Sequence, residues 1–175
     1  MARSTKSLLT LCAVDVMSHH VVMIPRAMSL QGAARMLARA GITGAPVVNA
    51  NGRCIGVLST TDFMHWVEKD RKPGKPKASG EPICSAWQIP AATIEPGCTV
   101  EDFMTRDPVL VGPHTKLGEL ARLMLDVHIH RLIVVDKVSQ RPLGIVSSMD
   151  ILAALARAEA VEGVPEERAT AGAVR

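Results

Sequence analysis

Gly144-Ile145-Val146-Ser147-Ser148-Met149-Asp150 is the stretch whose reading decides the fold. Gly144, Ile145 and Val146 read as the end of a buried strand. Ser147 is a natural N-cap, because its hydroxyl can accept a bond from an unsatisfied amide of a following helical turn. Asp150 then falls in that first turn, beside the positive end of the helix dipole. Gly56-Val57-Leu58-Ser59-Thr60-Thr61-Asp62 places Gly, Ser and Asp at the same relative spacing. The chain therefore holds two strand–turn–helix corners, each with a carboxylate at its mouth.

Working outward, the two corners are the ends of an internal repeat. At an offset of 87 residues, Asp15, Met17, Val22, Leu30, Ala34, Arg35 and Val47 coincide with Asp102, Met104, Val109, Leu117, Ala121, Arg122 and Val134. Gly32 and Gly118 miss by one position. One extra turn residue in the second copy moves the offset to 88 at the corners.

Each copy parses as β-α-β-β-α. Short extended pieces at 21–24 and 109–111 run to Pro25 and Pro113. Leu30, Ala33, Ala34 and Leu37, and in the second copy Leu117, Leu120, Ala121 and Met124, give the i, i+3, i+4, i+7 stripe of a helix with one buried face. Strands at 45–49 and 54–58 flank an Asn51-Gly52 turn, a strong hairpin signal. Strands at 132–136 and 143–147 flank a longer turn with Pro142. Their Val and Ile runs lack polar alternation, which predicts strands covered on both faces. Helices follow at 63–67 and 151–156. A unit of roughly 50 residues buries too little apolar surface alone, so the two are expected to pack together.

The remaining features exclude more than they assign. The chain of 175 residues is 47% hydrophobic but only 2% aromatic, with no Tyr. A net charge of +3 is no nucleic-acid signature, and no aromatic platform is interleaved with the Lys and Arg. No apolar run approaches the ~18 residues of a membrane span. Arg3 and Lys6 precede a short apolar run at 8–14, which we read as an ordered first segment rather than a signal peptide. Cys12, Cys54, Cys84 and Cys98 form no C-x-x-C pair, so free thiols in a reducing, cytoplasmic setting are expected. Between the copies, Lys69-Asp-Arg-Lys-Pro-Gly-Lys-Pro-Lys77 reads as a mobile charged loop. Trp87 within 83–94 suggests a segment folding back on the core or covering a partner. The residues after Glu162 read as a disordered or weakly helical tail.

This tandem repeat, with Gly-h-x-Ser/Thr-x-x-Asp at each corner, resembles the cystathionine-β-synthase (CBS) domain pair, or Bateman module. Phe103-Met-Thr-Arg-Asp-Pro-Val109 is similar to the family's leading segment, and Gly44-Ala-Pro-Val-Val48 to the approach to its middle strand. Ile129-His-Arg-Leu132 is similar to the phosphate-facing segment in the regulatory subunit of AMP-activated protein kinase. The resemblance implies an α/β (α+β) fold of two repeats packed as a pseudo-two-fold pair. The implied divisions are repeat one at 12–68, an insertion at 69–97, repeat two at 98–158 and a tail at 159–175. It also implies a regulatory ligand site in the cleft, for an adenosine nucleotide such as AMP, ADP or ATP, and a homodimer acting on an effector protein.

The site candidates follow. Asp62 and Asp150 occupy the family's ribose-binding position, and a carboxylate at a helix mouth can accept from a ribose diol. Ser59-x-x-Asp62 and Ser147-x-x-Asp150 equally fit capping boxes, in which the acid returns to its own N-cap amide. Arg131, after His130, is the phosphate candidate, a guanidinium able to grip phosphate in a fork. The alternative is a surface pairing with Asp126 or Asp136. Its counterpart in the first copy is Gly44, so the two sites are not equivalent. Ser18 and Thr105 are hydroxyls that can add phosphate bonds. Met23 and Leu110 read either as a purine platform or as core. Ala45, Pro46, Val109 and Leu132 complete the expected ligand contacts.

His128-x-His130 and His19-His20 bring no third metal ligand by spacing, so no metal is expected. No nucleophile–base signature or phosphate-binding loop of Walker type is present, which argues against an enzyme. Competing readings are a scaffold with vestigial pockets, an S-adenosylmethionine site, and a nucleic-acid contact through the 69–77 loop.

Overall fold

The computed structural model describes residues 7–69 and 98–162. The 70–97 part of the insertion, including most of the charged loop and the Trp87 segment, lies outside the described residues, as does the tail beyond 162.

Each repeat has the expected order. In the first, β1 (Ile24–Pro25), α2 (Leu30–Ala40), β2 (Gly44–Val48), β3 (Cys54–Ser59) and α3 (Thr60–Lys69) follow a short α1 (Ala13–Val16). In the second, β5 (Leu110–Val111), α5 (Leu117–Asp126), β6 (Arg131–Val135), β7 (Pro142–Ser147) and α6 (Ser148–Glu162) follow α4 (Val100–Phe103) and β4 (Thr105–Arg106). β1 pairs parallel with β2 and β5 with β6, while β2–β3 and β6–β7 are antiparallel hairpins. The helical stripes are as read: Leu30, Ala33 and Leu37 are buried on α2, and Leu117, Leu120 and Met124 on α5. Ser29 caps α2 by accepting from the Gly32 amide, and Gly41 ends it at φ 64, in the left-handed region that suits a residue without Cβ.

The strands depart from the expectation in part. The middle strand β6 buries four of its five residues. β3 and β7 instead alternate buried and half-buried positions over most of their length. The reason is local: Val57 and Ile145 border a cavity that leaves them only partly covered.

The leading segments are exchanged between the repeats. Ala13 and Met17 sit in the core of the second repeat with Leu120, Leu132 and Val146. Val100 and Met104 sit in the core of the first with Leu30, Leu58 and Phe63. β4, from the second repeat's leader, adds the fourth strand to the first sheet beside β3, and Ser18 bridges Ile145 of β7. This explains the repeated residues. Asp15 and Asp102 cap α1 and α4 by accepting from the Cys12 and Thr99 amides. Gly56 and Gly144 leave room for the incoming leaders. A Cβ at Gly56 would lie 2.8 Å from Met104 Sδ and 2.8 Å from the Thr105 carbonyl. One at Gly144 would lie 2.4 Å from Met17 Sδ and 2.9 Å from the Ser18 carbonyl. A small apolar layer of Cys54, Ile133 and Val135, with Val57 and Leu110, packs between the sheets. Burial pushes the Cys54 thiol up, keeping it protonated and unreactive.

Candidate functional site

Each corner forms because a strand runs directly into a helix whose first amides need acceptors. At the first corner, the Ser59 amide and hydroxyl both donate to Asp62 Oδ2, at 2.7 and 2.8 Å. At the second, the Ser147 amide and hydroxyl donate to Asp150 Oδ2, at 2.7 and 2.6 Å, and the Asp150 amide donates to Ser147 Oγ at 3.3 Å. Both acids therefore act as capping carboxylates, and each spends one of its two oxygens on the cap.

The second oxygen distinguishes the corners. Asp62 Oδ1 accepts from Thr105 Oγ1 at 2.8 Å, across the exchanged strand β4. Asp150 Oδ1 has no hydrogen-bond partner among the described residues, although Ser18 occupies the place that corresponds to Thr105.

A cavity of about 480 Å³ opens at the first corner, between the repeats. The first repeat contributes residues 43–46 and 59–62, and the second contributes Thr105, residues 107–109 and residues 129–131. Val57, Val127, Ile133 and Ile145 add apolar wall. Arg131 opens β6, is exposed, and donates to Thr43 Oγ1 across the cleft. It makes no ion pair with Asp126 or Asp136 among the described residues. Asp136 Oδ1 closes its own turn instead, by accepting from the Val138 and Ser139 amides, and these bonds hold its carboxyl below the usual range.

Of the residues expected from sequence, Ala45, Pro46, Ser59 and Asp62 line this cavity together with Thr105, Val109, His130 and Arg131. Ser18, Ser147 and Asp150 lie at the second corner instead. Leu132 is fully buried in the second core, because alternation along β6 turns it away from the cavity that Arg131 and Ile133 line. Leu110 packs in the layer between the sheets, and Met23 is 44% exposed; neither lines the cavity.

Sequence reasoning missed Thr43, Asp107 and Pro108. Thr43 was within reach, since the 87-residue offset sets it opposite His130. Asp107 carried a signal too, because Asp-Pro marks a turn and Asp tolerates the left-handed backbone it adopts at φ 57.

A second groove of about 420 Å³ lies between α5 and α6, with Met124, Leu125, His128, Ile151 and Leu152 in its walls. No group of three or more His, Cys, Asp and Glu side chains suited to a metal occurs among the described residues. No described helix is long and apolar enough to cross a membrane.

The CBS domain model matches residues 13–69 and 100–157. Among curated proteins, the uncharacterised protein MJ1426 of Methanocaldococcus jannaschii is 28% identical over 131 residues, 69% of this chain and 77% of the relative. The chain spans only 22–48% of three other curated relatives. Among solved structures, the CBS domain pair of MJ0100, described in complex with 5'-methylthioadenosine and S-adenosyl-L-methionine, is similar at a TM-score of 0.64 and 21% identity. It covers 85% of this chain and 98% of that one. CBSX2 of Arabidopsis thaliana, described in complex with AMP, is similar at a TM-score of 0.63 and 24% identity, over 85% and 98% of the two chains.

Proposed function

Since the chain belongs to the CBS domain family, matched over both repeats, we propose that it is a regulatory module binding an adenosine nucleotide at Asp62. The observation that carries this is the convergence of Asp62, Thr105 and Arg131 on one cavity from three separate elements. The cap and Thr105 hold Asp62 in place, so its outer oxygen is preorganised for a ribose hydroxyl, which would share that oxygen with the Thr105 hydroxyl. Arg131 has five N–H donors, of which the Thr43 bond uses one, and the rest serve a phosphate. Val57, Val109, Ile133 and Ile145 offer an apolar surface for the purine. The AMP complex of CBSX2 supports this ligand class; the MJ0100 complex supports S-adenosylmethionine as the competing one.

The second corner, with Ser18, Ser147 and Asp150, is a candidate for a weaker second site, since Arg131 serves the first. We assign no catalytic role and expect a cytoplasmic setting. Ligand binding would act by favouring one arrangement of the two repeats, to the extent that its affinity differs between arrangements. Both repeats contribute walls to the cavity, which makes such a difference physically available.

A second reading, as a dimerisation module, has its own observation. Leu125 on α5 and Met149, Leu152 and Leu155 on α6 are exposed at 73%, 68%, 55% and 41% around the α5–α6 groove. We propose that a second copy of this chain covers that face, and that an effector protein reads the assembly.

The test is thermal melting with AMP, ATP or S-adenosylmethionine, in the wild type and in Arg131→Ala. A ligand at 100 times its dissociation constant stabilises by roughly 2.7 kcal/mol. A shift with AMP that Arg131→Ala removes supports the nucleotide site. A shift with S-adenosylmethionine alone moves the assignment to that ligand, and no shift with any of the three leaves the dimerisation module.

A further inference from the structure

The cavity at the first corner has a charge balance that the sugar and phosphate contacts leave unexplained. Among the described residues its formally charged lining is Asp62, Asp107 and Arg131. Asp62 is engaged on both oxygens, and Arg131 already shares an N–H with Thr43. The Asp107 carboxylate forms no hydrogen bond or ion pair among the described residues. Its backbone is nevertheless constrained. Its backbone sits at φ 57, Pro108 restricts the next residue, and Thr105 two positions earlier pairs with Val57 of β3. At the mouth of α3, Asp62 accepts from the Ser59 amide and the Thr60 amide donates to the Thr43 carbonyl, so neither of these donors faces Asp107.

We propose that Asp107 is a specificity-determining residue that limits the negative charge of the bound nucleotide. The site then takes a nucleoside monophosphate and discriminates against the di- and triphosphate. This inference rests on the proposed nucleotide site and narrows it. One guanidinium answers one phosphate, and among the described residues no other Lys or Arg lines the cavity to meet the charge of a second or third. Each added phosphate instead raises the repulsion from Asp107, which is exposed at the cavity's edge.

The experiment is calorimetric titration of the full chain with adenosine, AMP, ADP and ATP, without added divalent metal and at fixed ionic strength. It is run for the wild type and Asp107→Asn. Asn keeps the side-chain shape and tolerates the left-handed backbone, so the variant removes charge alone. We expect wild type to bind AMP about tenfold or more tighter than ATP, a difference of about 1.4 kcal/mol per tenfold. Asp107→Asn should narrow that ratio by strengthening ATP while leaving adenosine unchanged, and added salt should shrink the gain. ATP binding as tightly as AMP in wild type, or an equal gain for adenosine and ATP, overturns the proposal. If AMP binds and Asp107→Asn leaves the ratio intact, the nucleotide site stands and the charge limit falls. If no nucleoside or nucleotide binds wild type, both fall together.

Discussion

At Asp62 one carboxylate oxygen caps α3 and the other is held by Thr105. At Asp150 one oxygen caps α6 in the same way, and the other has no hydrogen-bond partner among the described residues. The seven-residue motif is thus first a device for turning a strand into a helix, and it does this equally well twice. What differs is the surroundings. The cavity of about 480 Å³ lies at the first corner, with Arg131 reaching across to Thr43 and Asp107 in its lining. The shared motif alone does not distinguish the corners; Thr105, Thr43, Arg131 and Asp107, which lie outside it, do.

Matched pairs of substitutions sharpen this comparison. The largest effect is expected where the repeats are most alike. Leu30→Ala and Leu117→Ala each empty the first turn of a core helix, and each should cost about 2–5 kcal/mol in urea unfolding. A near-zero cost for one of them would mean that its core is not packed as described. Next come Gly56→Ala and Gly144→Ala, which force a Cβ against the leader carbonyls of Thr105 and Ser18. Each should lose about 1–3 kcal/mol by the same measurement. A neutral outcome at either glycine would break the exchange of leading segments on that side.

Smaller effects separate the corners. Thr105→Val removes the hydroxyl that holds Asp62 and should weaken AMP binding by about 0.5–1.5 kcal/mol in titration calorimetry, whereas Ser18→Ala should leave it unchanged. Equal losses from the two variants would make the corners alike after all. The smallest effect is electrostatic. The Thr99 hydroxyl and amide hold the exposed Asp102 carboxyl below its usual value. Its folded pKa is depressed, so its contribution is present above the unfolded pKa and is lost as pH falls through the folded one. Acid unfolding of Asp102→Asn should therefore lose part of its pH dependence below about pH 4. An unchanged acid transition would remove Asp102 from the capping role.

Much of the architecture was legible before any coordinates. The helical stripes of Leu30, Ala33 and Leu37 and of Leu117, Leu120 and Met124 are periodic signals that burial enforces, and the Asn51-Gly52 turn carries its own backbone preference. The exchange of the leaders was not legible. Identity of Met17 with Met104 says that two positions are equivalent, but not which core receives each. Only the missing Cβ of Gly56 and Gly144 hints at a close approach, and a glycine does not name its visitor. Of the residues lining the cavity, Asp62 was singled out by the repeated motif, Thr105 by its place in the leading segment and Arg131 by its place before the middle strand. Leu132 was misplaced because side chains alternate along β6, so the neighbours of a cavity residue face the core. Thr43 and Asp107 were missed because they lie outside the repeated motif, on loops that only the packing of the two repeats brings to the cavity.

The central claim is that the corner at Asp62, and not the one at Asp150, holds the phosphorylated ligand. AMP titrated into Asp62→Asn and Asp150→Asn, with the unfolding free energy of each variant measured alongside, tests it directly. Both variants should change stability by a similar small amount, because each replaces a capping carboxylate by a neutral amide that keeps an acceptor oxygen. Only Asp62→Asn should lose AMP binding. Binding abolished by Asp150→Asn and retained in Asp62→Asn would contradict the account.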